Sequence, residues 1–212
     1  MKNFNRDNLR LYAVTDRSWL GEQTLYEQVE EALRGGATMV QIREKELDEA
    51  DFEDEAREIQ KLCRKYQVPL IINDNVALAK RVDADGVHIG QSDMEMKNAR
   101  ELLGEDKIIG VTAKTIEQAK AAEAAGADYL GSGAVFGSST KLDAKPMEHA
   151  LFQEICESVA IPVVAIGGVT ADNVMQLKGR GMAGVAVVSG IFACKDIEAG
   201  TRRLRELVDS CM

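Results

Sequence analysis

Residues 69–93 read PLIINDNVALAKRVDADGVHIGQSD. Two short apolar runs, PLII (69–72) and GVHI (86–89), are joined by NVALAKRV (75–82), a segment with helical period, and by an Asp-Gly stop. Near-continuous apolar strands joined by a helix pair in parallel and are covered by helices on the outer face. Each run ends abruptly in polar groups that include a carboxylate: Asn73 and Asp74 after the first, Gln91 and Asp93 after the second.

The same alternation extends in both directions. Further apolar runs are LRLYAVT (9–15), MVQIRE (39–44), KIIGVTA (107–113), YLGSGAV (129–135), PVVAIGGV (162–169) and GVAVVSGIF (184–192). Helical period marks segments between and after them, including TLYEQVEEALRGG (24–36), DFEDEAREIQKLCRKY (51–66), IEQAKAAEAAG (116–126) and IEAGTRRLRELV (197–208). An internal echo runs through GGATMVQI (35–42), DADGVHIG (83–90), AGADYLGSG (125–133) and RGMAGVAVV (180–188), each passing from a helix stop straight into a strand. Eight such units predict an α/β fold of one domain, a closed (β/α)8 or TIM barrel with eight parallel strands over residues 9–212, preceded by an arm or short helix at 1–8. An open doubly wound sheet is the alternative, but AVTDRSWLG (13–21) after the first strand is no GxGxxG.

The 45% hydrophobic content of the 212 residues is ample for one barrel core. No run approaches the roughly 18 to 20 apolar residues of a membrane span, and MKNFNRDNLR lacks a secretory h-region, so the expectation is a cytoplasmic protein with no membrane partner. Cys63, Cys156, Cys194 and Cys211 form no CxxC pair and signal neither zinc nor a disulfide framework. A formal charge of −9 argues against nucleic acid as partner. Barrels often associate through their helices, which makes a homodimer the mild expectation.

Barrel active sites are built at the C-terminal ends of the strands. Neighbouring parallel strands lie about 4.8 Å apart, so Asp74 and Asp93 at two adjacent strand tops can share one hard cation, with Mg²⁺ the natural candidate. The competing reading makes Asp74 the cap of NVALAKRV and Asp93 the cap of SDMEMKNARELL (92–103). In QIREK (41–45), Gln41, Arg43 and Lys45 share one face of a regular strand, and two cations buried near the mouth call for an anionic substrate; a solvated strand end is the plainer alternative. GSSTKLDA (137–144) offers hydroxyls and Lys141 for a phosphate, although Ser/Thr/Gly clusters are mostly ordinary loops. After strands seven and eight, Gly167 and Gly168 permit close backbone approach to an anion, and Ser189 with Gly190 adds donors opposite. Thr112 is a candidate hydroxyl donor ending strand five. His88 reads as a hydrogen-bonded core histidine ahead of a catalytic one, His149 as a helix-surface residue, and Trp19 as a cover for the mouth or a plug. No Ser/His/Asp arrangement is visible.

The ordered set LYAVTDR (11–17), VQIREK (40–45), INDN (72–75), DGVHIGQSD (85–93), GVTAKT (110–115), STK (139–141), AIGGVT (165–170) and AVVSGIF (186–192) resembles the thiamine phosphate synthases over about residues 9–208. The resemblance implies a barrel that joins 4-amino-5-hydroxymethyl-2-methylpyrimidine diphosphate to 4-methyl-5-(2-phosphoethyl)thiazole with Mg²⁺, giving thiamine phosphate and pyrophosphate. It implies Asp74 and Asp93 as metal ligands. It implies Gln41, Arg43, Lys45, Asn73, Thr112 and Lys141 as contacts to the pyrimidine diphosphate, with Arg43, Lys45, Thr112 and Lys141 the catalytic set. Ser138, Thr140, Gly168, Val188 and Ser189 would hold the thiazole phosphate.

This chain departs from the family in two places. GAVFGSSTK (133–141) stands where the family usually shows Gly-Pro-Ile-(Tyr/Phe)-Pro-Thr-x-Thr-Lys, and Thr112 stands where Ser is common. Both hydroxyls survive. Related barrels set the rival expectations: a thiazole tautomerase, which needs an acid/base side chain such as His by strand six, a phosphosugar isomerase, which leaves QIREK unexplained, and a metabolite-binding barrel without catalysis.

Overall fold

The computed structural model describes residues 4–90, 96–137 and 146–212. Eight parallel strands, β1 (Leu11–Val14), β2 (Met39–Ile42), β3 (Leu70–Asn73), β4 (Gly86–Ile89), β5 (Ile108–Thr112), β6 (Tyr129–Gly133), β7 (Val163–Ile166) and β8 (Gly184–Val187), pair in sequence order. Ala13 lies opposite Val187, which closes the barrel between β8 and β1.

The helices are α1 (Leu25–Arg34), α2 (Glu49–Tyr66), α3 (Val76–Arg81), α4 (Met96–Leu103), α5 (Ile116–Ala124), α6 (His149–Glu157), α7 (Ser189–Phe192) and α8 (Ile197–Cys211). Their starts follow from local chemistry. Thr24 and Glu27 form a reciprocal capping box, and Asp48, Thr115 and Asp196 each accept a first-turn amide. Between β7 and β8 the crossover is only the 3-10 turn Val174–Leu177, so the strand–helix alternation expected from sequence is shortened there. The segment has too few residues before Gly179 and Gly181, which both take positive φ, and the Asn173 side chain is committed to the preceding loop.

Alternation along each strand sends one set of side chains outward to the helices and the other into the barrel. The outer layer packs residues such as Val40, Ile42, Leu70, Ile72, Val87 and Leu130 against Val29, Ala56, Ile59, Phe152 and Leu204 of the helices. The interior holds Tyr12, Met39, Ile71, Ile108, Tyr129, Val164 and Ala186. Tyr129 fits because Gly110 faces it: a Cβ there would lie 2.1 Å from the ring.

The internal echo has a physical basis at the strand starts. Asp85 takes the Leu70 amide on its carboxylate at 2.8 Å and donates its own amide to the Leu70 carbonyl at 3.0 Å. Asp128 does the same to Ile109, both at 2.8 Å, and Thr38 to Leu11 at 2.9 and 2.8 Å. Each of these three αβ turns thus ends in a residue that satisfies both an amide and a carbonyl near the start of the preceding strand. In RGMAGVAVV the corresponding Ala183 supplies only its amide, to the Val163 carbonyl.

Residues 6–9 form a 3-10 turn capped by Asn5 and Asn8, and Leu9 is fully buried. Phe4 packs on Tyr129 with ring centroids 6.0 Å apart. Among the described residues no helix is long and apolar enough to cross a membrane.

Candidate active site

A cavity opens at the C-terminal ends of the strands, lined by Gln41 of β2 and Arg43 just beyond it, Asn73 of β3, His88 of β4, Thr112 of β5 and Lys114 beyond it, Gly168 after β7, and Val188 and Ser189 after β8. An adjoining cleft shares Asn73 and adds Glu44, Lys45 and Asp74. Those predicted residues that lie among the described ones therefore line this mouth, with one refinement. β2 ends at Ile42, so the period-two face carries Gln41 and Arg43 into the cavity while Lys45, on the turn beyond, faces the cleft. Gln91, Asp93, Ser138, Thr140 and Lys141 lie outside the described residues.

The end of β1 sets the end of β2. The Arg43 amide donates to Thr15 Oγ1 at 3.1 Å, and the Arg43 guanidinium lies 3.1 Å from Asp16 Oδ2. Glu44 points the other way: its Oε2 is held by Arg17 and its Oε1 accepts the amides of Lys45, Glu46 and Leu47. Burial pushes the Glu44 carboxyl up, but the Glu46 amide, Arg17 and the Lys45 amide outweigh it and hold the group below its usual range.

Asn75, not Asp74, caps α3, with Oδ1 accepting the Leu78 amide at 2.8 Å. This overturns the alternative in which Asp74 serves as that cap. Asp74 instead takes φ 61°, a left-handed conformation that Asp and Asn tolerate better than most residues, and its carboxylate accepts from Asn73 Nδ2 at 2.6 Å. Asp74 is an oxygen donor on an open cleft beside Lys45, a setting suited to a hard cation that completes its shell with water and phosphate. Among the described residues no group of three or more His, Cys, Asp or Glu is placed to hold a metal by itself.

Gly167 and Gly168 take φ 96° and 68°. The space their missing side chains leave is already occupied: a Cβ on Gly168 would meet the Phe136 carbonyl at 2.8 Å, and one on Gly167 the Ala134 Cβ at 2.4 Å and the Gly137 carbonyl at 2.9 Å. The Phe136 amide also donates to the Gly167 carbonyl at 3.0 Å. Asn173 locks the same loop, donating to the Gly168 carbonyl at 2.8 Å and accepting the Thr170 amide at 2.9 Å. His149, expected on a helix surface, is half-buried at the start of α6, with Nε2 3.1 Å from the Val135 carbonyl and its ring against Phe136.

Below the mouth runs a buried chain of polar groups. Gln41 Nε2 donates to the Tyr12 hydroxyl, which lies 2.9 Å from the Tyr129 hydroxyl. The latter is 3.1 Å from His88 Nδ1, and His88 Nε2 is 3.0 Å from Thr112 Oγ1. Burial raises the pKa of both phenols, which therefore stay protonated. Sequence reasoning missed Tyr12, Tyr129, Asp16, Asn173 and Lys114. A tyrosine in an apolar strand reads as core, and only the closed register brings the two phenols together.

The model of a family described as thiamine monophosphate synthase matches residues 11–191. The thiamine-phosphate synthase of Clostridium acetobutylicum is 47% identical over 208 residues, covering 98% of this chain and 97% of its own. That of Clostridium novyi is 46% identical over 201 residues, with 94% and 98% covered. The solved thiamine phosphate pyrophosphorylase of Pyrococcus furiosus superposes with a TM-score of 0.90 at 38% identity, covering 98% of both chains. With likeness of this extent in sequence and in fold, and with the strand-end residues gathered around one mouth, the chain belongs to the thiamine monophosphate synthase family.

Proposed function

We propose that the chain is a Mg²⁺-dependent transferase that moves the aminopyrimidine methylene group from its diphosphate to the ring nitrogen of 4-methyl-5-(2-phosphoethyl)thiazole. One observation carries the reading beyond family membership. Arg43 on one side of the barrel and Gly168 with Ser189 on the other line a single cavity, so two phosphorylated substrates can meet with their reacting ends between them.

The methylene carbon–oxygen bond breaks with its electron pair passing to the departing pyrophosphate. The electron-rich aminopyrimidine stabilises the cation that remains, and the thiazole nitrogen then forms the new carbon–nitrogen bond. Arg43 and Lys45, joined by Lys141 in this reading, face the growing negative charge, a preorganised effect worth roughly several kcal/mol. Asp74, with Asp93, would hold Mg²⁺, which when bound neutralises charge on the leaving group. Asn73 positions Asp74, and Asp16 positions Arg43. Small phosphorylated substrates are in keeping with the cytoplasmic setting expected from sequence.

The deciding experiment measures pyrophosphate release and thiamine phosphate formation with each substrate alone and with both, with and without Mg²⁺. Both products only when both substrates and the metal are present is the expected result. Pyrophosphate without thiamine phosphate would make the chain a hydrolase, and binding of both substrates without product would make it a silent barrel; either overturns the proposal.

A further inference from the structure

We propose that Gly131 and Ala186 are specificity-determining residues: together they leave half of one interior layer of the barrel unfilled, and the space admits the 2-methyl edge of the aminopyrimidine. The inference rests on the transferase reading for its ligand and on packing for its place.

Side chains inside such a barrel stack in layers contributed by alternate strands, and a layer climbs about two residues at every second strand. His88 of β4 pairs through Gly110 with Tyr129 of β6, so the next inward residue, Gly131, stands level with it. Gly131 pairs through Val164 with Gly184 of β8, which brings Ala186 level, and Ala186 leads through Tyr12 and Met39 to Gln41. One layer is therefore Gln41, His88, Gly131 and Ala186, and each of them lines the cavity. Its β2 and β4 half holds long polar side chains, its β6 and β8 half a hydrogen and a methyl group. Tyr12 and Val164, one layer deeper, line the cavity as well, so the opening continues through the small half.

The backbone does not demand a glycine at 131. Gly86, Gly110, Gly133 and Gly184, the other glycines of the strands, would each drive a Cβ to 2.1 Å or closer from a carbonyl oxygen or the Tyr129 ring. Gly131 has no positive φ, and among the described residues a Cβ on it meets only the edge of His88, with Cε1 at 3.1 Å and Nε2 at 3.5 Å. Barrel layers are ordinarily filled by bulky branched residues. Packing alone would fill this gap, whereas a ligand ring needs it.

The pyrimidine carries its reacting methylene on C5 and its methyl group on C2, directly across the ring. With the diphosphate at Arg43 by the mouth, the methyl group is the deepest part of the substrate. It enters the side of the layer where Gly131 and Ala186 stand, and the amine edge lies toward Gln41 and His88.

The test compares, by calorimetry without the thiazole, the Kd of the pyrimidine diphosphate with that of its analogue bearing hydrogen on C2. The unaltered protein should prefer the methyl compound about threefold to fourfold, the worth of one buried methyl group. Gly131→Ala should fold, with a melting temperature lowered by no more than about 3 °C. It should weaken the methyl compound about tenfold, the usual effect of one surplus carbon in a fitted pocket, and the hydrogen analogue by less than about twofold. Equal weakening of both would mean that the new Cβ acts by shifting His88, and it overturns the proposal. So does unchanged binding of both, or a Gly131→Ala chain that does not fold, since the glycine would then serve packing. If the unaltered protein binds both pyrimidines and forms no thiamine phosphate, the transferase reading fails while the two Kd values still decide the space. Binding of neither pyrimidine removes the ligand and overturns the inference with it.

Discussion

Arg17 Nη2 lies 2.6 Å from Glu55 Oε1, and the same guanidinium donates through Nε to Glu44. The Glu44 side chain is only 3% exposed, and its other oxygen takes the amides of Lys45 and Glu46 at 2.6 and 2.7 Å. One arginine therefore shapes the turn that carries Lys45. Arg17→Met leaves a buried carboxylate without its cation and should cost about 3 kcal/mol, toward the low end for a broken buried pair because Arg17 keeps some water contact. Urea unfolding measures this. Turnover should fall at saturating substrate as Lys45 loses its place, and a change within about 0.5 kcal/mol would show that the amides hold the turn alone.

The two glutamates give opposite pH signatures. Glu44 is held below its usual pKa, so the unfolded state takes up protons first. Its stabilisation is full above the unfolded value, about 4.3, and is lost as pH falls through the folded one. Burial raises Glu55 despite Arg17, so its contribution is full below the unfolded value and lost as pH rises through the folded one. Melting temperature followed across the carboxylate range should lose slope on its acid side in Glu44→Gln. Glu55→Gln should remove a decline on the upper side. Identical profiles in both variants would contradict the assignment.

Asp74 and Asn75 divide their work between charge and structure. Asn75→Ala should cost about 1 kcal/mol, the usual worth of an N-cap, and leave the proposed Mg²⁺ requirement alone. Asp74→Asn keeps a side chain that tolerates the left-handed backbone and should leave melting temperature nearly unchanged. It should raise the Mg²⁺ concentration for half-maximal turnover about tenfold or more, the effect of losing a carboxylate ligand to a hard cation. Titration of Mg²⁺ against initial rate separates the two, and an unshifted Mg²⁺ curve in Asp74→Asn would remove Asp74 from the metal site.

Much of the molecule was legible before any coordinates. β3 and β4 stand out because buried parallel strands must be apolar throughout, and Asn73 and Thr112 stand out because they end such runs. Asp74 could not be assigned between cap and ligand, since two adjacent residues, Asp74 and Asn75, both have the chemistry of a cap. Only backbone geometry decides which of them faces Leu78. Tyr12 and Tyr129 were illegible for a different reason. They are 117 positions apart, and their hydroxyls meet only once Gly110 has made room for one ring and the barrel has closed around the other.

The strand-start acids yield the last prediction, because they turn a pattern in the sequence into an energetic claim. Asp128 closes the Ile109 amide at 2.8 Å and receives Arg100 Nη2 at 2.8 Å, while Ile109 is fully buried. Asp128→Ala strips the acceptor from a buried backbone donor and leaves Arg100, among the described residues, with its carbonyl partners at Gly104, Lys107 and Gly126. An orphaned buried amide costs roughly 1 to 3 kcal/mol, so about 2 kcal/mol is expected with catalytic constants unchanged, since Asp128 lies at the opposite end of β6 from the mouth. Asp128→Asn keeps an oxygen for the Ile109 amide and gives up the charge facing Arg100, a part-exposed pair worth about 1 kcal/mol or less. The asparagine variant should therefore recover at least half the loss. If both variants lose the same stability, the ion pair and not the backbone closure is what Asp128 contributes, and the echo between Asp85 and Asp128 has no common energetic cause.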